Sequence, residues 1–120
     1  MKISNQENRQ SAKSERIHFL IFNELGYFIP KSVKFKLDYS GKDLSIQGVS
    51  LNEWLKLMLE NKVVVSSNKS LISNYFERIE GGEESVLIVE NIELEYIAKT
   101  LFQILEKLLP NLTLNYLEYD

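Results

Sequence analysis

Apolar residues recur along this chain with two periods, and the switches between them mark out its elements. Between Ser32 and Tyr39 the alternation is strict: Val33, Phe35, Leu37 and Tyr39 on one side, Lys34, Lys36 and Asp38 on the other. A period of two predicts a half-buried strand. Ser40-Gly41-Lys42 supplies a turn, and Leu44 and Ile46 carry a second strand. The pair is expected as a β-hairpin, basic on the outer face of its first strand. The period then lengthens: Leu51, Trp54, Leu55 and Met58 fall at i, i+3, i+4 and i+7, the stripe of an amphipathic helix. Ahead of it, Ser50-Leu51-Asn52-Glu53 has the spacing of a capping box, in which the serine hydroxyl and the glutamate satisfy two free N–H groups reciprocally.

Val63-Val64-Val65 predicts a short strand. Leu71, Ile72, Tyr75, Phe76 and Ile79 form a second helical stripe, closed by Gly81-Gly82. Ser85 to Val89 is a continuous apolar run, the pattern of a strand buried on both faces. Asn91 is placed to cap a long helix that reaches Leu108 or Leu109 and stops at Pro110. Its apolar positions (Leu94, Ile97, Ala98, Leu101, Phe102, Ile104, Leu105, Leu108) cover more than one stripe, so this helix should centre the core. Leu112, Leu114 and Tyr116 alternate as a last strand. Strand, helix, strand predicts a right-handed crossover with its two strands parallel.

The front of the chain has conflicting signals. Ser14 as an N-cap and Gly26 beyond the end favour a helix over residues 15–25. Ile17 to Phe22 is nevertheless a β-rich run that a strand would also accept. Met1 to Ser14 is almost wholly polar and predicts a flexible arm. The expected architecture is α+β: an arm over 1–14, then a single domain over 15–120. That domain comprises an N-terminal helix and β-hairpin, two further helices, and a C-terminal β-α-β crossover on a mixed sheet.

Composition bounds the chemistry. With 120 residues, 44% hydrophobic and 26% charged, the chain has the makeup of a globular domain able to bury its own core. It has no cysteine, which excludes disulfides, thiolate metal sites and cysteine nucleophiles. No apolar run approaches the roughly 20 residues that span a bilayer, and no secretory h-region is seen, so a cytoplasmic location and no membrane partner are expected. His18 is the only histidine, the five glycines form no phosphate-cradling pattern, and no calcium-loop spacing occurs. These absences predict no catalytic residues, no metal and no cofactor.

Charge narrows the partner class. Residues 1–69 hold eleven Lys and Arg against seven acids, and residues 70–120 hold three against ten. The halves are therefore +4 and −7 within a whole of −3. Glu77, Glu80, Glu83, Glu84, Glu90, Glu93 and Glu95 crowd one stretch opposed only by Arg78. A face of that kind repels nucleic acid and attracts basic proteins.

The segment Gly48-Val49-Ser50-Leu51-Asn52-Glu53-Trp54-Leu55 resembles the start of the second helix of ribbon-helix-helix repressors, a family that includes DNA-binding antitoxins. That fold needs a full first helix between its strand and this segment, where the present chain has Gly41 and a second alternating run. Lys34 and Lys36, with Lys31 and Lys42 near, make a weak phosphate footprint without interleaved arginine, and DNA binding ranks last.

Protein binding is the expected function. Small acidic domains of this kind include bacterial immunity proteins and antitoxins, whose carboxylates imitate the phosphates that a basic nuclease toxin binds. The expected recognition surface is Glu77, Glu80, Glu83, Glu84, Glu90 and Glu93, with Tyr116 and Tyr119 as aromatic anchors. A secretion or effector chaperone, or an adaptor, is the alternative, and homo-oligomerisation is compatible with either.

Overall fold

One long antiparallel ribbon organises the molecule. In the computed structural model, which describes residues 9–41, 48–78 and 86–120, β1 (Arg9–Lys13) runs into β2 (Ile17–Phe22), and β3 (Phe28–Val33) runs into β4 (Phe35–Ser40). β2 pairs with β3, and β1 pairs with β4. The register passes from Ile17 opposite Val33 to Lys13 opposite Lys36, so Ser14-Glu15-Arg16 faces only Lys34-Phe35. One extra residue on one strand bends a ribbon and increases its twist. Ser14 sits buried at this joint. Its N–H donates to the Phe35 carbonyl at 2.9 Å, and its Oγ accepts the Phe35 N–H at 2.9 Å.

Beyond the joint the two halves of the ribbon join different sheets, with orders β1-β4-β7 and β3-β2-β5-β6. The remaining elements are α1 (Leu51–Leu59), β5 (Val63–Ser66), α2 (Lys69–Arg78), β6 (Val86–Val89), α3 (Leu94–Leu108) and β7 (Thr113–Tyr119). In the four-stranded sheet β2, β5 and β6 are parallel and β3 is antiparallel, so the sheet is mixed. Successive residues of a strand face opposite ways, and the sheet is packed accordingly. Ile17, Phe19, Ile21, Val64, Leu87 and Val89 join the main core with Leu51, Trp54, Leu55 and Leu59 of α1 and Ile97, Ala98, Leu101 and Leu105 of α3. Phe22 and Val65 turn to the other face and meet Tyr75 of α2. The three-stranded sheet is wholly antiparallel and sends Phe35, Leu37 and Tyr39 into the main core.

The α+β class and the mixed sheet hold. Among the described residues, no helix is long and apolar enough to cross a membrane.

Several expected elements take other forms. Residues 15–25 contain strand β2, not a helix. Ile17, Phe19 and Ile21 are buried on one face of it, and the two supposed cap residues serve other ends. Ser14 makes the joint. Gly26, at φ 82°, makes the turn, where Asn23 Oδ1 accepts the N–H groups of Leu25 at 3.0 Å and Tyr27 at 2.9 Å. Arg9–Lys13 is strand β1 rather than arm, held by β4, while residues 1–8 lie outside the described residues. Both edges of β4 are taken, by β1 and β7, and the second hairpin strand expected at Leu44 and Ile46 lies outside the described residues.

The capping box does not close: Ser50 makes no side-chain cap bond, and its Oγ stands 2.7 Å from Asn52 Oδ1 instead. Nor is β6 buried on both faces, since it is an edge strand with Ile88 exposed. Asn91 lies ahead of the N-cap Glu93 of α3 and accepts its N–H at 3.1 Å. The C-terminal crossover is also different. α3, about 22 Å long by its fifteen residues, leads from β6 in one sheet to β7 in the other. There β7 lies antiparallel to β4. The parallel pairs are β2–β5, with β3, β4 and α1 between them in the chain, and β5–β6, with α2 between them.

Candidate protein-binding surface

α3 packs against β7, and a shallow groove of about 320 Å³ runs between them. Its helix wall is Glu95, Ala98, Lys99 and Phe102, spaced i, i+3, i+4 and i+7, so one stripe of α3 faces it. Its strand wall is Asn115, Tyr116, Leu117 and Tyr119. A second groove of about 310 Å³ lies on the other flank of α3, against β6, and includes Ile88, Glu90, Tyr96 and Lys99. Lys99 borders both, with Nζ 4.0 Å from Glu90 Oε2.

A polar cluster fixes the strand wall. Asp38 of β4 is buried although it points to the outer, polar side of its sheet. Asn115 Nδ2 donates to its Oδ1 at 2.7 Å, and Arg9 Nε donates to Oδ1 at 3.0 Å and Oδ2 at 3.2 Å. Asn115 reaches Asp38 because the β4–β7 register shifts there: Asp38 faces Tyr116, whereas Tyr39 faces Leu114, leaving Asn115 as the extra residue. The hydrogen bond from Asn115, then those from Arg9 and the Tyr116 hydroxyl, hold the Asp38 carboxyl below the usual carboxylate range against the opposing effect of desolvation. Asp38 and Tyr116 in turn raise the Arg9 guanidinium. Sequence reasoning missed this cluster. Its members are 29 and 77 residues apart from Asp38, and Asp38 reads as one more outward polar position in an alternating strand.

The expected site residues are divided by the fold. Glu90 and Glu93 gather where β6 ends and α3 begins, both exposed, and with them stands Glu95, which is not part of the expected surface. Glu77 is exposed near the C-terminal end of α2, about 12 Å along that helix from its start beside β5 and β6. It therefore belongs to the opposite end of the sheet. Glu80, Glu83 and Glu84 lie outside the described residues. Tyr116 and Tyr119 are 38% and 44% exposed and share the α3–β7 groove with Glu95. Neither is a core residue, and Tyr116 is steered through its hydroxyl by Asp38.

The lysines do not form one patch. Lys13, Lys34 and Lys36 surround a recess of about 220 Å³ at the joint together with Glu118 and Asp120. Lys31 is in the other sheet, and Lys42 lies outside the described residues. His18 is exposed on β2, its backbone N–H bonded to Glu60 Oε2 at 2.9 Å. Among the described residues no group of three or more His, Asp or Glu is placed to hold a metal ion.

No protein-family model matches the chain, and no curated protein matches it. The crystal structure of an uncharacterized protein from Wolinella succinogenes has a similar fold. The TM-score is 0.60 over 93% of this chain and 91% of that one, at 13% identity. At that identity the likeness extends to the arrangement of elements alone.

Proposed function

We propose that this chain is a non-catalytic protein-binding domain of the immunity or antitoxin kind, which neutralises a basic, nuclease-type toxin in the cytoplasm. What supports the reading is that one groove joins the two features expected of such a binder. Glu95, from the acidic start of α3, faces Tyr116 and Tyr119 of β7 across it. Carboxylates steer a basic partner in from solution, and half-exposed tyrosines supply the contact area that keeps it. Glu90 and Glu93 extend the acidic field beyond the rim; Glu77 takes no part.

The test is co-expression. The C-terminal region of the protein encoded by the preceding reading frame should stop growth of a bacterial host, and this chain should restore it. Purified, the two should associate at a rate that falls about tenfold or more from low to high salt. A preceding product that is harmless, or a partner bound at a rate indifferent to salt, would exclude the inhibitor. An effector chaperone is the second reading, favoured by the exposed edge of β7, along which an extended segment has backbone groups to pair with.

A further inference from the structure

Four strands end the two sheets among the described residues, and three of them are blunted. β3 carries Pro30 in register with Leu20, whose N–H turns the other way, to Lys62 O. The missing N–H of Pro30 is therefore on the free edge, where it removes a donor from any added strand. β1 is five residues long with a cation at each end, and β6 has only four residues. β7 is different: seven residues, Thr-Leu-Asn-Tyr-Leu-Glu-Tyr, with no proline and no cation. Exposed edges are usually guarded.

The ladder shows which groups this edge offers. Lys34 and Asp120 exchange both backbone hydrogen bonds, at 3.1 and 3.0 Å. Antiparallel pairs alternate between bonded and non-bonded, so Glu118 and Tyr116 point their backbone groups at β4, while Tyr119 and Leu117 point theirs outward. That outward run borders the α3–β7 groove. A strand laid along it would send alternate side chains toward Phe102 and Tyr119 on one face and toward Tyr116 and Glu118 on the other. Charge at the start of α3 is acidic: Glu90, Glu93 and Glu95 outnumber Lys99, which already lies beside Glu90, while Glu118 stands opposite Lys36 in the ladder.

We propose that an extended segment of the partner protein, alternating apolar residues with Lys or Arg, adds to the three-stranded sheet along β7 and fills the groove beside α3. This rests on the reading of the groove as the binding site and names how it is occupied: by backbone pairing, with charge setting the choice of segment.

The test uses two seven-residue capped peptides, one alternating valine with lysine and one valine with glutamate, added to the full chain and followed by NMR. The lysine peptide should slow hydrogen exchange at the Leu117 and Tyr119 amides about tenfold or more, and the glutamate peptide should bind about tenfold more weakly. Tyr119→Pro removes an N–H that β4 does not use, so it should leave the fold in place and weaken the lysine peptide about tenfold. Tyr119→Val also loses the ring but keeps that N–H, so the lysine peptide should bind it more tightly than Tyr119→Pro and still slow exchange at residue 119. If the lysine peptide perturbs Phe102 and Tyr116 but protects neither amide, strand addition is wrong and the groove reading stands. If it perturbs nothing in the groove, both fall. A chain that dimerises alone with the same two amides protected would assign the edge to a second copy and overturn the proposal.

Discussion

The two sheets grow from one ribbon yet are stabilised by different means. The four-stranded sheet is layered between helices, with α1 and α3 on one face and α2 on the other. Among the described residues, the three-stranded sheet has helix cover only on its inner face. Its outer face instead buries a carboxylate, tied to the strands on either side through Arg9 and Asn115. One sheet excludes water with hydrocarbon. The other excludes it locally with a satisfied polar network, which fixes side-chain positions but contributes little where solvent can screen it. The edges differ too: those of the layered sheet are blunted, by Pro30 in β3 and by the shortness of β6, whereas β7 of the other sheet, where binding is proposed, is not.

The largest effect should come from attacking the layered sheet at its small second core. Phe22 is fully buried, 5.1 Å from Phe28 and 5.5 Å from Tyr75 between ring centroids. Phe22→Ala should cost about 3–5 kcal/mol in urea unfolding followed by the single tryptophan, Trp54. Leu101 is equally buried but belongs to the core both sheets share. Leu101→Ala should cost about 2–5 kcal/mol, and it should also loosen β7, seen as faster amide exchange there. A loss below about 1 kcal/mol would mean that α3 is not the shared wall.

A smaller loss is expected at the joint. Ser14→Ala removes the acceptor for the Phe35 N–H and should cost about 1–3 kcal/mol, with exchange quickening at Phe35 first. The smallest effect belongs to the polar network, and it depends on pH. Asp38 is held below the usual carboxylate range in the folded chain, so on acidification the unfolded chain takes up the proton first. The contribution is whole above the ordinary carboxyl value near ~3.9 and is lost as pH falls through the depressed folded value. Asp38→Asn should flatten this part of the stability–pH curve; an unchanged curve would show that the network contributes nothing measurable.

How much of this was visible in the residues varied from one element to the next. α1, β5, α2 and the long α3 announce themselves because their apolar spacing matches their own period, and local pattern was enough. Residues 15–25 did not, because Ser14 and Gly26 carry the letters of helix caps while serving a bulge and a turn. The neighbours that decide between those roles, Phe35 and Asn23, are a strand pair and a turn that only the folded ribbon brings into place. The crossover failed for a related reason: the rule for parallel strands presumes that both belong to one sheet, and no residue between Val89 and Thr113 says which sheet receives β7. Of the candidate site, the tyrosines were visible as anchors, but Glu95 was only one of an acidic stretch and outside the expected surface, because its meeting with them in one groove depends on the register of β7 against β4.

The turn at Asn23–Gly26 has a kinetic consequence. It closes a hairpin of nearest neighbours in sequence, whereas β2 must wait for β5, some forty residues later, and β4 must wait for β7. Contacts close in sequence form first because they confine less chain. Folding should therefore begin at the β2–β3 hairpin and zip toward Arg9 and Ser40, with both sheets growing outward from that template. Pulse-labelled exchange should find the Ile21 amide protected before that of Leu87, and the reverse order would place the nucleus elsewhere.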